Sequence, residues 1–123
     1  MTSAAAALRD MPTIDLEHLR RFTRGDEPLI CEVLQLFANQ APHYLKEMRA
    51  TASDRGWFEA AHALKGCSRA VGAWELARLA EMAERLRDGA SEHCQGQRRA
   101  LMPEIERTLA AAIDFARATT RRR

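Results

Sequence analysis

Residues 54–72 read DRGWFEAAHALKGCSRAVG, and winding them at about 100° per residue separates them into two faces. Trp57, Ala60, Ala61, Leu64, Cys67, Ser68 and Val71 fall on one side. His62 lies opposite and shares its side with Arg55, Phe58, Glu59, Lys65, Gly66 and Arg69. The spacing predicts a helix from about Asp54 to Val71, stopped by Gly72. Its inner side is apolar and small, which suits close packing against other helices.

Working outward, the same period recurs on both flanks. Downstream, Leu76, Leu79, Met82, Ala83 and Leu86 mark a buried stripe on a helix from about Trp74 to Arg87, with Asp88-Gly89 as its stop. A further helix from about Ser91 to Ala118 carries Leu101, Ile105, Leu109, Ala112 and Ile113. Pro103 either kinks that helix or marks its beginning. Upstream, Asp26 can cap a long helix with Glu27 and Pro28 in its first turn. Its stripe runs Ile30, Val33, Leu34, Phe37, Ala41, Tyr44, Leu45 and Met48, with a kink expected near Pro42. Before it, Asp15 can cap a short helix bearing Leu16, Leu19 and Phe22, ended by Gly25.

Four amphipathic helices with short connections predict an all-α fold: an antiparallel up-down four-helix bundle with a short extra N-terminal helix as a lid. Residues 1–12 are expected to be a flexible N-terminal segment, 13–119 the folded domain, and 120–123 a basic C-terminal tail.

Composition agrees with that class and excludes several others. The chain has 123 residues, enough for one domain. Hydrophobic residues make up 46% and aromatics only 6%, a balance that suits helices better than a sheet. Net charge is +2, far from the strongly basic signature of a nucleic-acid binder. The run Arg121-Arg122-Arg123 reads as solvated. Cys31, Cys67 and Cys94 give neither a disulfide framework nor a zinc pattern. Ala4 to Leu8 is too short for a signal-peptide core, and no run is long enough to span a bilayer. A cytoplasmic protein is expected. No phosphate-binding glycine loop and no H-E-x-x-H pair is present, and the four histidines are scattered. No enzyme with its own ATP site is expected, and no metal site.

The outward face around His62 has its own chemistry. Lys65 and Arg69, three and seven residues on, bring positive charge beside the imidazole. Gly66 sits in a helix interior, where glycine costs roughly 0.5–1 kcal/mol against alanine. The simplest reason is that a side chain there would obstruct approach to the ring. An exposed imidazole with neighbouring cations and a cleared approach suits a nucleophile for a phosphoryl group, with Lys65 balancing charge on its oxygens. Phe58, one turn before His62, is either an apolar anchor for a partner or a ring leaning onto the second helix as peripheral core.

The run Ala61-His62-Ala63-Leu64-Lys65-Gly66-Cys67-Ser68-Arg69-Ala70-Val71-Gly72-Ala73, followed by Leu76 and Leu79, closely resembles the phosphoacceptor motif of histidine phosphotransfer (HPt) domains, A-H-x-L-K-G-x-S-x-x-x-G-A-x-x-L. Ile14-Asp15-Leu16, Gly25-Asp26, Leu34, Phe37 and Pro42 fit the opening of such domains more loosely. The resemblance implies a phosphorelay intermediate. It would carry a phosphoryl group on His62 between receiver-domain aspartates, with response-regulator receivers and a hybrid histidine kinase as partners. Mg²⁺ would be supplied by the receiver, and no cofactor is implied for this chain. The resemblance also implies a polar residue one helix on that contacts the histidine ring. Counting in register puts it at Glu84, with Glu81 one turn earlier. A carboxylate there would hold one ring N–H and leave the other nitrogen free. A monomer is expected.

Blander readings stand beside these. His18, His43 and His93 read as surface histidines. Arg69 is as well explained by a solvated face as by partner binding. Ser68 reads as packing or a backbone hydrogen bond, Gly72 as a helix stop, Trp57 as core. The functional alternative is a bundle that binds and regulates a receiver or kinase without carrying phosphate, a role that would not need His62 and Lys65.

Overall fold

The structure is a computed structural model that describes residues 13–122; the expected flexible segment 1–12 lies outside the described residues. Among the described residues, five helices follow one another: α1 (Leu16–Thr23), α2 (Glu27–Ala50), α3 (Asp54–Val71), α4 (Trp74–Glu84) and α5 (Glu92–Arg121). Each boundary has a local cause. Asp15, Asp26, Ser53 and Ser91 accept hydrogen bonds from the amides of His18, Leu29, Gly56 and Cys94, satisfying first-turn donors that the helix itself leaves open. Pro28 sits in the first turn of α2, where its missing N–H costs nothing.

The α3–α4 turn depends on glycine. Gly72 has φ of +75°, and its left-handed turn lets the amide of Ala73 reach back 2.8 Å to the carbonyl of Ser68. A Cβ on Gly72 would also press on Asp15, whose amide donates to the Gly72 carbonyl at 3.0 Å. Asp15 therefore caps α1 and docks it on this turn, and its other carboxylate oxygen accepts from the Trp74 indole at 3.0 Å.

Helices α2 to α5 pack as a ring: each lies against its neighbour in sequence, and α5 closes on α2. The short connections 51–53, 72–73 and 85–91 reverse the chain each time, giving the antiparallel four-helix bundle with α1 laid across α2 and α3. Leu34, Ala41, Leu64, Leu76, Leu79, Ile105 and Leu109 meet in one core, with Leu19 and Ile14 closing its end. The inner face of α3 is the one its period indicates: Trp57, Ala60, Ala61, Leu64, Ser68 and Val71 are buried, and Cys67 is half-buried. Ser68 donates 2.7 Å to the Leu64 carbonyl, so its hydroxyl is satisfied within the helix.

Several expectations need correction. Helix α4 ends at Glu84 and not at Arg87, because the Ala83 and Leu86 carbonyls are captured from outside the helix. Met82 and Phe22 are exposed, not buried with the stripes they extend; Met82 lines an open cleft with Gln97, Ala100 and Leu101 of α5. Pro42 and Pro103 both lie inside continuous helices, so Pro103 does not begin α5. That helix runs on to Arg121, taking in part of the expected basic tail.

Candidate functional site

Helices α3 and α4 pack along their length, and their shared edge carries His62. The imidazole stands outside the core, with its side chain 63% exposed. Its Nδ1 lies 2.9 Å from Oε2 of Glu84, the last residue of α4. The other oxygen of that carboxylate, Oε1, accepts from Lys65 Nζ at 2.6 Å. One carboxylate thus holds both the histidine and the lysine of the motif. Glu81, the other candidate, instead faces Arg69 at 3.7 Å and Arg85 at 3.5 Å.

This geometry assigns the imidazole proton. Partial burial works to raise the Glu84 carboxyl pKa, but the hydrogen bonds and charges of Lys65 and His62 outweigh it and hold the group below the usual carboxylate value. An ionised carboxylate can only accept, so Nδ1 carries the hydrogen and the neutral ring keeps its lone pair on Nε2. That nitrogen has no hydrogen-bond partner among the described residues. The negative charge of Glu84 falls at the C-terminal end of α4, where a helix disfavours anions; Lys65 offsets that.

Lys65 differs from its expected setting. It is not a solvated cation on the open face: its side chain is only 12% exposed and Glu84 only 15%. Packing of α4 beside α3 covers it, which a single-helix period could not indicate. Gly66 lies on open surface, and a Cβ there would meet no atom within 4 Å. The glycine is therefore not needed for close helix contact. Phe58 is half-buried but belongs neither to the core cluster nor to the side chains packed on it. Its ring stacks on His62, with centroids 5.7 Å apart and planes inclined by 20°. Arg69 is exposed, joined to Glu81 and not to His62.

Arg87, which helical period puts at the end of the fourth helix, lies instead in the 85–91 connection. Its guanidinium carbon sits 4.0 Å from the centre of the Phe58 ring. The end of α4 and the connection that follows it are pinned from three directions. The Trp57 indole donates to the Ala83 carbonyl at 2.7 Å, Arg98 Nε donates to the Leu86 carbonyl at 2.9 Å, and the Gly89 amide donates to Asp54 Oδ1 at 2.9 Å. Arg98 also pairs with Asp54 at 3.0 Å. These contacts stop α4 at Glu84 and so aim its carboxylate. Trp57 is core, but core with this added task.

Among the described residues, no group of three or more His, Cys, Asp and Glu side chains converges as a metal site would require. No described helix is long and apolar enough to cross a membrane.

The chain is thus a small all-helical bundle in which the ring of an exposed histidine on one helix, His62, is held by a carboxylate from the next. The Hpt domain family model matches residues 32–116, and the chain belongs to that family. Comparison with curated proteins and with solved structures gave no match.

Proposed function

We propose that this protein is a phosphorelay intermediate that takes a phosphoryl group onto His62 from the aspartyl phosphate of one receiver domain and passes it to the aspartate of another. The observation that carries this reading is the Nδ1 contact with Glu84, which leaves Nε2 as the exposed nucleophile. In the accepting step, the Nε2 lone pair forms the N–P bond as the P–O bond to the donor aspartate breaks, leaving a free carboxylate on the donor. The positive charge left on the imidazole is balanced by Glu84 through Nδ1–H. The return step reverses these changes with a second aspartate as acceptor.

Lys65 and Gly66 take different parts. Lys65 holds Glu84 in place and contributes positive charge beside the phosphoryl oxygens. Gly66 keeps the C-terminal side of the ring open to the partner. The domain is taken as residues 13–119, acting as a monomer in the cytoplasm without an ATP site of its own. A hybrid kinase's receiver serves as donor, a response regulator as recipient, and Mg²⁺ is bound on the receiver. Arg69, exposed one turn beyond Gly66, is assigned to the partner-binding rim.

The test is incubation with a phosphorylated receiver domain. The wild type should gain an acid-labile, base-stable phosphoryl group, and His62→Gln should lose it while keeping its helical circular dichroism. Label persisting on that variant would overturn the assignment.

A further inference from the structure

The surroundings of His62 are asymmetric along α3. One turn towards the C-terminus stands Gly66, with open space where a Cβ would be. One turn towards the N-terminus stands Phe58, its ring stacked on the imidazole. The outer support of that phenyl ring is the Arg87 guanidinium. Arg87 also differs from the other cations nearby. Lys65 is committed to Glu84, while Arg69 and Arg85 share Glu81. Arg87 makes no ion pair among the described residues, and its guanidinium lies instead over the Phe58 ring. The backbone that carries it is tied down on either side, at Leu86 by Arg98 and at Gly89 by Asp54.

We propose that Phe58 and Arg87 are positioning residues for His62, a wall that fixes the plane of the imidazole and restricts approach to the side of Gly66. The inference rests on the phosphocarrier reading. Glu84 anchors the ring at Nδ1 alone, and the ring can still tilt about that single hydrogen bond, which displaces Nε2. A flat ring stacked against one face removes that freedom. The phenyl ring itself is on the periphery, where nothing apolar from the core secures it; the cation–π contact with Arg87 does so, worth more the less solvated it is. Asp54, Arg98 and Trp57 fix the connection that delivers Arg87 and so act two steps removed from the imidazole.

A wall and an obstruction predict opposite outcomes. If Phe58 only crowded the ring, removing it would speed transfer. As a positioning residue, its replacement should slow transfer, since misplaced reacting atoms cost rate steeply. The experiment pairs His62 ring resonances in the full-length protein with phosphorylation rates from phosphoramidate, a small donor that needs no docking surface, and from a receiver. Phe58→Leu should shift the His62 ring protons downfield, as the ring current is lost, and slow labelling from both donors by about tenfold. Phe58→Tyr should keep the upfield shift and restore most of the rate. Arg87→Met should give a partial downfield shift and an intermediate rate, with melting temperature close to wild type.

Unmoved His62 resonances in Phe58→Leu, or labelling as fast as wild type, would overturn the proposal. Slowing from the receiver alone would assign Phe58 to docking and overturn it too. Wild-type protein that takes no label on His62 from either donor would instead defeat the phosphocarrier reading. The ring-proton shifts would still report whether the stack exists.

Discussion

Lys65 reaches across from α3 to close on Oε1 of Glu84 at 2.6 Å, while His62 holds the opposite oxygen of the same carboxylate. The lysine beside the phosphoacceptor is therefore a half-buried partner of the residue that orients the ring. Its replacement should be felt in stability as well as in transfer. Lys65→Met is expected to cost about 1.5–3 kcal/mol of folding free energy, the range of hydrogen bonds to charged groups. In a double-mutant cycle with Glu84→Gln, the two losses should be less than additive. Additive losses in urea melts would mean that the pair does not couple in solution.

The lowered pKa of Glu84 gives a pH dependence with a definite sign. A carboxyl that is more acidic folded than unfolded contributes stability fully present above its ordinary value of 4.5. That contribution fades as pH falls through the lowered folded value. The wild type should thus lose more stability than Glu84→Gln on going from pH 6 to pH 3, as compared by thermal melts. Parallel pH profiles for the two proteins would reject the lowering.

Gly66 offers a clean separation of stability from function. With no atom within 4 Å of the place a Cβ would take, Gly66→Ala should stabilise α3 by up to roughly 0.5–1 kcal/mol. Gly66→Gln should leave the melting temperature near that of alanine yet slow phosphotransfer, because its longer side chain fills the open side of His62. Equal transfer rates for all three proteins would show that the space is not used for approach.

Gly72 should behave in the opposite way. Its left-handed φ and the closeness of Asp15 both penalise a side chain. Gly72→Ala should destabilise the bundle by about 1 kcal/mol or more. Asp15→Ala, which removes the α1 cap and the Trp74 contact, should cost about 0.5–2 kcal/mol. Neither change touches His62, so transfer per folded molecule should stay near wild type. A selective loss of transfer in either variant would tie α1 to the reaction.

What the amino-acid sequence determined by itself is what local rules govern. Caps and stops act within four residues, so Asp15, Asp26 and Gly72 mark helix ends before any packing is known. Helical period acts within one helix, so the split of α3 into a buried face and the face of His62 was legible, and so was the motif around it. The polar residue one helix on came from the resemblance, which left Glu84 and Glu81 as candidates; in the structure it is Glu84 that lies 2.9 Å from His62 Nδ1. Tertiary structure alone decided the rest, because it depends on how one helix sits beside another. The burial of Lys65 follows from α4 lying over it, and the end of α4 at Glu84 follows from Trp57 taking the Ala83 carbonyl, 26 residues away in the chain. The place of Arg87 follows from that early ending and from Asp54 and Arg98 holding the connection. Helical period puts Arg87 at the end of the fourth helix, and only the closed bundle brings its guanidinium onto the ring beside His62.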